Sequence, residues 1–487
     1  MVRSVKANLI FNLINSTTQL LFPLITFPYA SRIMMADGIG QVNFFQSIVN
    51  YISLFTCLGI PMYAIREIAT VRENPIKMNK VTFEILSLHG ILTIFGYIVV
   101  GVICLTVPQV QVDVPLFLVL SIGIFFTAIG CDWFYQGIED FKYVAIRGLI
   151  FKIVSIAFLF LFVKTRNDLL LYGVYTILGS VGGNIFNFFR LRKYLNRSLV
   201  KFRSLRPFQH LKPALHVFAF NVIISIYLQL NVVLLGFFKD AEAVGYFTTA
   251  TKLLAITMSL SSALGAVMMS RSSNLIAEGR MDEFKTLIQK SYDFVLALTI
   301  PLTIGLIFTS KSAILLLSGA NFIPSILASK IVAPNILLVG ISGVLGIQIL
   351  YPMGKINKVI ICSLFGAATN VLLNILFIPY FGHYGTAAAY LSAEIVVTSV
   401  MMVIARKDIP LRYFKKQHIN YLCAGGVMAF VLSGIYSLYL DNVSTIIAMI
   451  TSGIISYFAT LFVLRDYWSM SCYNMVVNRI RRIFRRN

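Results

Sequence analysis

The sequence predicts an all-α integral membrane protein: about 14 transmembrane helices, in two six-helix lobes around a central cavity, with two further helices at the C-terminus. Three observations predict it. Of 487 residues, 58% are hydrophobic and only 12% charged, with a mean hydropathy of +0.83, a composition too apolar for a soluble domain. Apolar runs of spanning length recur from one end to the other, leaving no stretch for a soluble catalytic domain. The 41 Lys plus Arg, against 19 Asp plus Glu for a net charge of +22, are gathered into alternate connections between those runs.

In order, the runs fall at about 8–34, 41–65, 81–106, 114–135, 144–163, 169–189, 213–237, 243–267, 291–309, 331–351, 357–378, 384–405, 419–439 and 445–464, each closed by charge or by Pro and Gly clusters. We number them spans 1 to 14. Span 1 has Arg3 and Lys6 ahead of it, as a signal peptide does, but it is too long, carries Asn and Thr and has no clear cleavage site. It reads as a retained helix.

With the N-terminus in the cytoplasm, the inner connections hold Arg66, Arg72, Lys77 and Lys80, the basic 190–212 segment, and Arg406, Lys407, Arg412, Lys415 and Lys416. The tail adds Arg479, Arg481, Arg482, Arg485 and Arg486. Roughly 33 basic residues inside against about 5 outside place both termini in the cytoplasm. The net charge is thus an orientation signal and a contact for anionic membrane lipids, and nucleic acid is not expected as a partner. Outer connections at 107–113, 379–383 and 440–444 are short; the longer 310–330 stretch, with Ile314, Leu315, Leu316 and Leu317, reads as a short interfacial helix. The six cysteines (Cys57, Cys104, Cys131, Cys362, Cys423, Cys472) form no CxxC pair, so neither a disulfide framework nor a metal site is expected.

The basic stretch after span 6 divides the chain. It predicts an N-lobe at 1–190 (spans 1 to 6), a basic cytoplasmic linker at 191–212 and a C-lobe at 213–405 (spans 7 to 12). A cytoplasmic loop at 406–418, spans 13 and 14 at 419–464 and a basic cytoplasmic tail at 465–487 follow. An internal echo supports two parallel repeats: GQVNF at 40–44 resembles GYFTT at 245–249, and Tyr172 with Gly173 resembles Tyr384 with Gly385.

Polar residues follow the same division. Span 1 places Asn8, Asn12, Asn15 and Gln19 on one helical face, continued by Thr26; span 2 places Asn43, Ser47 and Asn50. Span 7 has Asn221, Ser225 and Gln229 at steps of four, with Asn231 nearby, and span 8 has Thr248 and Lys252. For any one of these residues, interhelical hydrogen bonding explains the polarity as well as cavity lining does. Four striped helices at matching places in two repeats favour a water-accessible cavity. Pro23 and Pro28 interrupt span 1 and make it a candidate hinge; Pro301 and Pro334 interrupt spans 9 and 10.

Ionisable groups within spans are costly unless they meet a cavity or a partner. Arg32, Lys152 and Lys252, if they face the cavity, form a desolvated cationic site suited to a phosphate or carboxylate. Glu394 and Asp132 serve either ion coupling or charge pairing: Glu394 with a lysine, Asp132 with Arg147 or Lys152. The five histidines form no HExxH or His/Cys cluster, no GxxxxGK[ST] loop is present, and no outer loop holds paired carboxylates. A transporter without cofactor is expected, rather than an enzyme.

Four strings, FPYASRI at 27–33, LGIPMYAIREIA at 58–69, DWFYQGIEDFKY at 132–143 and IPYFGHYGTAAAYLSAE at 378–394, together resemble the polysaccharide (oligosaccharide-lipid) flippase family of the multidrug/oligosaccharidyl-lipid/polysaccharide exporter superfamily. The resemblance implies two six-helix lobes, often with two extra helices. It implies that an undecaprenyl-diphosphate-linked oligosaccharide is moved across the bacterial cytoplasmic (inner) membrane by alternating access, driven by an ion gradient, for O-antigen or capsule synthesis. A polysaccharide polymerase and a chain-length regulator are the protein partners it implies. Positions matching family motifs are Arg32, Arg66, Glu67, Asp132, Gln136, Glu139 and Glu394; relatives commonly have an acidic residue where this chain has Asn231.

A multidrug or cation antiporter of the same superfamily is the main rival, but it needs acidic groups in its cavity, and the deep charges here are mostly basic. A membrane-embedded polymerase or glycosyltransferase needs a large outer loop with catalytic acids or arginines. A channel needs a repeated filter sequence.

Overall fold

In a bilayer each backbone amide must be satisfied within its own segment, so long apolar runs become helices. The computed structural model describes residues 5–196, 198, 200, 202–409, 411–437, 443–466 and 470, without the side chains of 5–21, 202, 216, 219–228, 260–264, 266, 267 and 437. Its longer elements are α1 (Val5–Cys57), α2 (Ile60–Val71), α3 (Pro75–Thr106), α4 (Pro108–Gln111), α5 (Val114–Gly130), α6 (Asp132–Gly137), α7 (Phe141–Phe162), α8 (Leu169–Ser180) and α9 (Asn184–Leu191). Then come α10 (Leu211–Phe238), α11 (Ala241–Ala277), α12 (Met281–Leu317), α13 (Ser325–Val332) and α14 (Asn335–Gly343), the last running into a π-helical stretch Val344–Leu350. The chain ends in α15 (Ile356–Arg406), α16 (Lys416–Ser437) and α17 (Val443–Val463).

Among the described residues, nine helices are long and apolar enough to cross a membrane, or ten if the bent pair Arg166–Ser180 and Asn184–Leu191 is one span. Two of the nine, Phe22–Val71 and Ile356–Arg406, have 50 and 51 residues. At 1.5 Å per residue that is about 75 Å, more than twice one crossing. The first is broken at Met35 (φ 58°) within α1 and at Leu58 (φ 44°) and Gly59 (φ 74°) between α1 and α2, the second at Gly382 (φ 55°) within α15. Met35 lies just beyond span 1, and Gly382 lies in the expected short connection at 379–383.

Sequence signals set the other ends. Pro75 opens α3 behind Asn74, whose side chain accepts from Lys77 N–H at 3.1 Å, and Asp113 does the same for Leu116 N–H ahead of α5. Cys131, at φ 46°, separates α5 from α6. Residues 310–330 correct the expectation of a separate interfacial helix: Ile314 to Leu317 form the last turn of α12, and Gly319 (φ 88°) then turns the chain toward α13. Ile314 is buried while Leu316 is exposed, so one face of this turn packs inward and the other faces out.

The chain separates into two units, Met1–Gly245 and Tyr246–Asn487. The core of the first packs Ile60, Ala64 and Ile68 of α2 against Trp133, Phe134 and Tyr135 of α6 and Ile85 and Leu88 of α3. The core of the second joins α12, α14, α15, α16 and α17 through Tyr292, Leu345, Met401, Tyr421 and Tyr457. Outward faces stay apolar, as with Ile94, Ile98 and Leu105 on α3 and Ile447, Ile454 and Phe458 on α17, which suits contact with acyl chains. The molecule is a multi-pass membrane protein.

Candidate functional site

Beyond the break at Met35, α1 carries the stripe Asn43, Ser47 and Asn50. Asn43 Nδ2 donates to Ile39 O at 2.7 Å, Ser47 Oγ donates to Asn43 O at 2.8 Å, and Gln46 Nε2 donates to Asn50 Oδ1 at 3.0 Å. Much of this polarity is therefore spent within the helix. Asn50 faces further: with Tyr51, Ser53, Leu54 and Cys57 of α1 and Gln229 of α10 it lines a pocket of about 310 Å³. Two residues chosen for cavity lining on separate stripes thus share one pocket in the first unit. Tyr51 also borders an apolar groove of about 460 Å³ lined by Ile48, Phe55, Phe95 and Phe237. Asn231 and Thr248 are buried. The side chains of Asn8, Asn12, Asn15, Gln19, Asn221 and Ser225 lie outside the described residues.

The charged candidates have different surroundings. Arg32 is exposed on the helix ahead of Met35, where its Nη1 donates to Pro28 O at 2.7 Å; Pro23 and Pro28 lie inside α1, whose non-helical residue is Met35. Asp132, first residue of α6, accepts from Arg147 Nη2 at 2.9 Å and from Asn187 Nδ2 at 2.7 Å. Arg147 Nη1 also donates to Asn184 Oδ1 at 3.2 Å, and Tyr135 OH donates to Asn187 O at 2.6 Å. A second pair, Arg190 with Asp140 at 2.8 Å, stacks its guanidinium over the Tyr143 ring at 3.8 Å. Glu139, at φ 61°, reaches Arg72 at 2.7 Å. The string 132–143 therefore builds a cross-braced node that ties α6 and α7 to α9. The pairing of Asp132 with Arg147 was expected, but Asn184, Asn187 and Arg190 were missed as members of the node; two Asn and an Arg at steps of three on one helix are the signal that marks them.

Of the two cations considered for Asp132, Arg147 holds it. Lys152, five residues along α7, has a shielded Nζ without a hydrogen-bond partner. In the second unit, Lys252 of α11 is half-buried and Glu394 of α15 is 5% exposed. Ser291 Oγ donates to Gln348 Oε1 at 2.6 Å inside this unit, and Asn374 Nδ2 donates to Asn370 O at 2.8 Å. An apolar pocket of about 580 Å³ is lined by Phe294 and Pro301 of α12, Met428 of α16, and Met449 and Tyr457 of α17. No cluster of three or more His, Cys, Asp or Glu able to hold a metal is present among the described residues.

Residues 5–276, more than half of the chain, match the family described as polysaccharide biosynthesis protein. The chain belongs to that family. This family member is 22% identical over 410 residues to an Escherichia coli K12 protein described as a candidate O-antigen transporter, covering 83% of this chain and 97% of that one. A Shigella dysenteriae protein of the same description is 25% identical over 399 residues, covering 82% and 99%. Among solved structures, the lipid II flippase MurJ in an inward closed conformation aligns with a TM-score of 0.71 at 18% identity, covering 94% of this chain and 98% of that one. An inward-facing multidrug resistance MATE transporter of the MOP superfamily aligns at 0.66 and 14% identity, covering 82% and 98%. The family member therefore has the MurJ/MATE-like fold.

Proposed function

We propose that the protein is a flippase that carries an undecaprenyl-diphosphate-linked oligosaccharide across the bacterial cytoplasmic membrane by alternating access, for surface polysaccharide synthesis. One observation carries the reading: a member of a polysaccharide biosynthesis family is built of membrane helices almost throughout, so its contribution to that biosynthesis is passage of material through the bilayer. Relatives described as O-antigen transporters align over nearly their whole length. In this reading the 14 spans form an N-lobe at 1–190 and a C-lobe at 213–405 with both termini in the cytoplasm. Arg32, Lys152 and Lys252 meet the diphosphate, and Glu394 exchanges the coupling ion. The polar pocket at Asn50 and Gln229 suits sugar hydroxyls, while the apolar pockets of the two units suit an isoprenoid chain. A polymerase and a chain-length regulator are the protein partners of this pathway.

The test is accumulation of substrate. Deleting the gene should leave polyprenyl-diphosphate-linked sugars in the inner leaflet, read by mass analysis of extracted lipids. The double variant Arg32→Ala with Lys252→Ala should do the same at normal membrane abundance, because a diphosphate in a dry cavity needs cationic partners. Normal surface polysaccharide from that variant would refute the assignment of those cations, and absence of lipid-linked sugars after deletion would refute the function.

A further inference from the structure

The histidines that form no metal cluster include two in equivalent bonding. In the first unit Glu84, on the third turn of α3, is 0% exposed. Its Oε1 accepts from the backbone N–H of Arg206 at 2.9 Å, and its Oε2 accepts from Gln209 Nε2 at 2.8 Å and pairs with His210 Nε2 at 3.1 Å. Tyr63 OH lies 2.7 Å from His210 Nδ1, and Lys80 Nζ is 3.9 Å from the carboxylate. In the second unit Asp293, near the fourth turn of α12, pairs its Oδ1 with His418 Nε2 at 3.0 Å and accepts from Gln289 Nε2 at 2.9 Å and Lys415 Nζ at 2.7 Å. His418 Nδ1 is 3.0 Å from Tyr413 O. Gln289 in turn accepts from the backbone N–H of Arg412 at 2.9 Å.

The carboxylate and the histidine match, while the glutamines (Gln209 in the connecting segment, Gln289 on α12) and the tyrosines (Tyr63 on α2, Tyr292 on α12) come from different elements. Each set has a buried carboxylate on a long helix, a histidine at the point where the chain turns into a later helix, a glutamine beside the carboxylate, a bond to the incoming backbone, and a tyrosine ring 5.7 or 5.8 Å from the imidazole. The carboxylates stand 209 positions apart and the histidines 208. Those offsets fall between the 205 of Gly40 and Gly245 and the 212 of Tyr172 and Tyr384, so the sets occupy equivalent places in the two repeats.

We propose that Glu84 with His210, and Asp293 with His418, are one positioning element present in both repeats, which fixes the connecting segment to its own unit so that the next helix starts from an anchored point. In the first repeat the anchored segment is the one-turn helix Pro207–His210 leading into α10; in the second it is the start of α16. The role in transport rests on the alternating-access reading: a helix that starts from a loose segment transmits the motion of its lobe poorly.

The test is a reciprocal exchange in the full-length protein reconstituted in lipid nanodiscs and vesicles. Glu84→His alone and His210→Glu alone should speed backbone hydrogen exchange of residues 206–212 about tenfold, and the double exchange should bring it back to within roughly threefold of the unaltered chain. Glu84→Gln, which keeps the shape, should give an intermediate rate, and Asp293→Asn should loosen 412–420 without touching 206–212. Flipping of a short polyprenyl-diphosphate saccharide should slow in the single variants at unchanged half-saturating concentration, and recover in the double. Unchanged exchange in the singles, no recovery in the double, or full-speed flipping by a loosened variant would each overturn the proposal. Failure of the unaltered protein to flip the probe would instead count against the proposed function, with the exchange data still deciding the anchor.

Discussion

At the scale of single residues, the same charge has different uses according to what lies across from it. Asp132 and Lys152 are both charged groups at helix positions in a membrane protein, yet Asp132 is held by Arg147 and Asn187 while Lys152 Nζ has no hydrogen-bond partner among the described residues. The first is built into the fold. Asp408, just after α15, is a further structural carboxylate: Lys355 and Lys358 donate to it at 2.6 and 2.8 Å. Burial pushes its carboxyl up, but the two lysine hydrogen bonds outweigh that and hold it below its ordinary 3.8. A carboxyl lowered in the native state adds stability that is fully present above 3.8 and disappears as pH falls through the native value. Asp408→Asn should therefore lower the thermal midpoint at pH 7 by about 2 °C, and the gap between variant and parent should close as the pH is taken below 3.8. A gap independent of pH, measured by unfolding in detergent, would mean that the lysines are not what Asp408 stabilises.

At the scale of elements, close helix crossings depend on what is absent. Gly40 of α1 and Gly245 of α11 were singled out as equivalent positions of two repeats; in the structure they also meet. A Cβ on Gly40 would overlap the carbonyl of Ala241, and one on Gly245 would overlap the carbonyl of Ala36, so main chain lies against main chain and cannot yield as a side chain would. Gly40→Ala should cost about 1–3 kcal/mol by forcing that crossing apart. Gly101→Ala on α3, with nothing within 4 Å of the added carbon, should be neutral or slightly stabilising. Equal melting of the two variants would show that the crossing is not tight in the membrane. Breaks are likewise local: a single non-helical residue, Met35 in α1 and Gly382 in α15, kinks each of these long helices, while Pro301 sits inside α12, which continues through it.

At the scale of the molecule, the distribution of basic residues carries orientation because a loop rich in Lys and Arg is retained on the cytoplasmic side. Reporters fused after residue 200 and at the C-terminus should read cytoplasmic, and one placed in 107–113 should read external. An external C-terminus would overturn both the orientation and the even number of spans. The fold is MurJ/MATE-like, and the family gives it a biosynthetic setting.

The sequence by itself determined that the chain lives in a membrane and where most of its apolar helices run, because these are sums over neighbouring residues. Hydropathy accumulates along a run, and helical period assigns a face. Only the tertiary structure decided which face meets which. Arg147 rather than Lys152 holds Asp132, Glu84 finds a histidine 126 positions away, and Asn50 opens on a pocket with Gln229 while Asn43 bonds its own helix. A periodic pattern states that a residue points inward, but not what stands opposite. That is fixed by how helices rotate and cross in three dimensions, where a carboxylate takes the donor within about 3 Å whatever its distance along the chain.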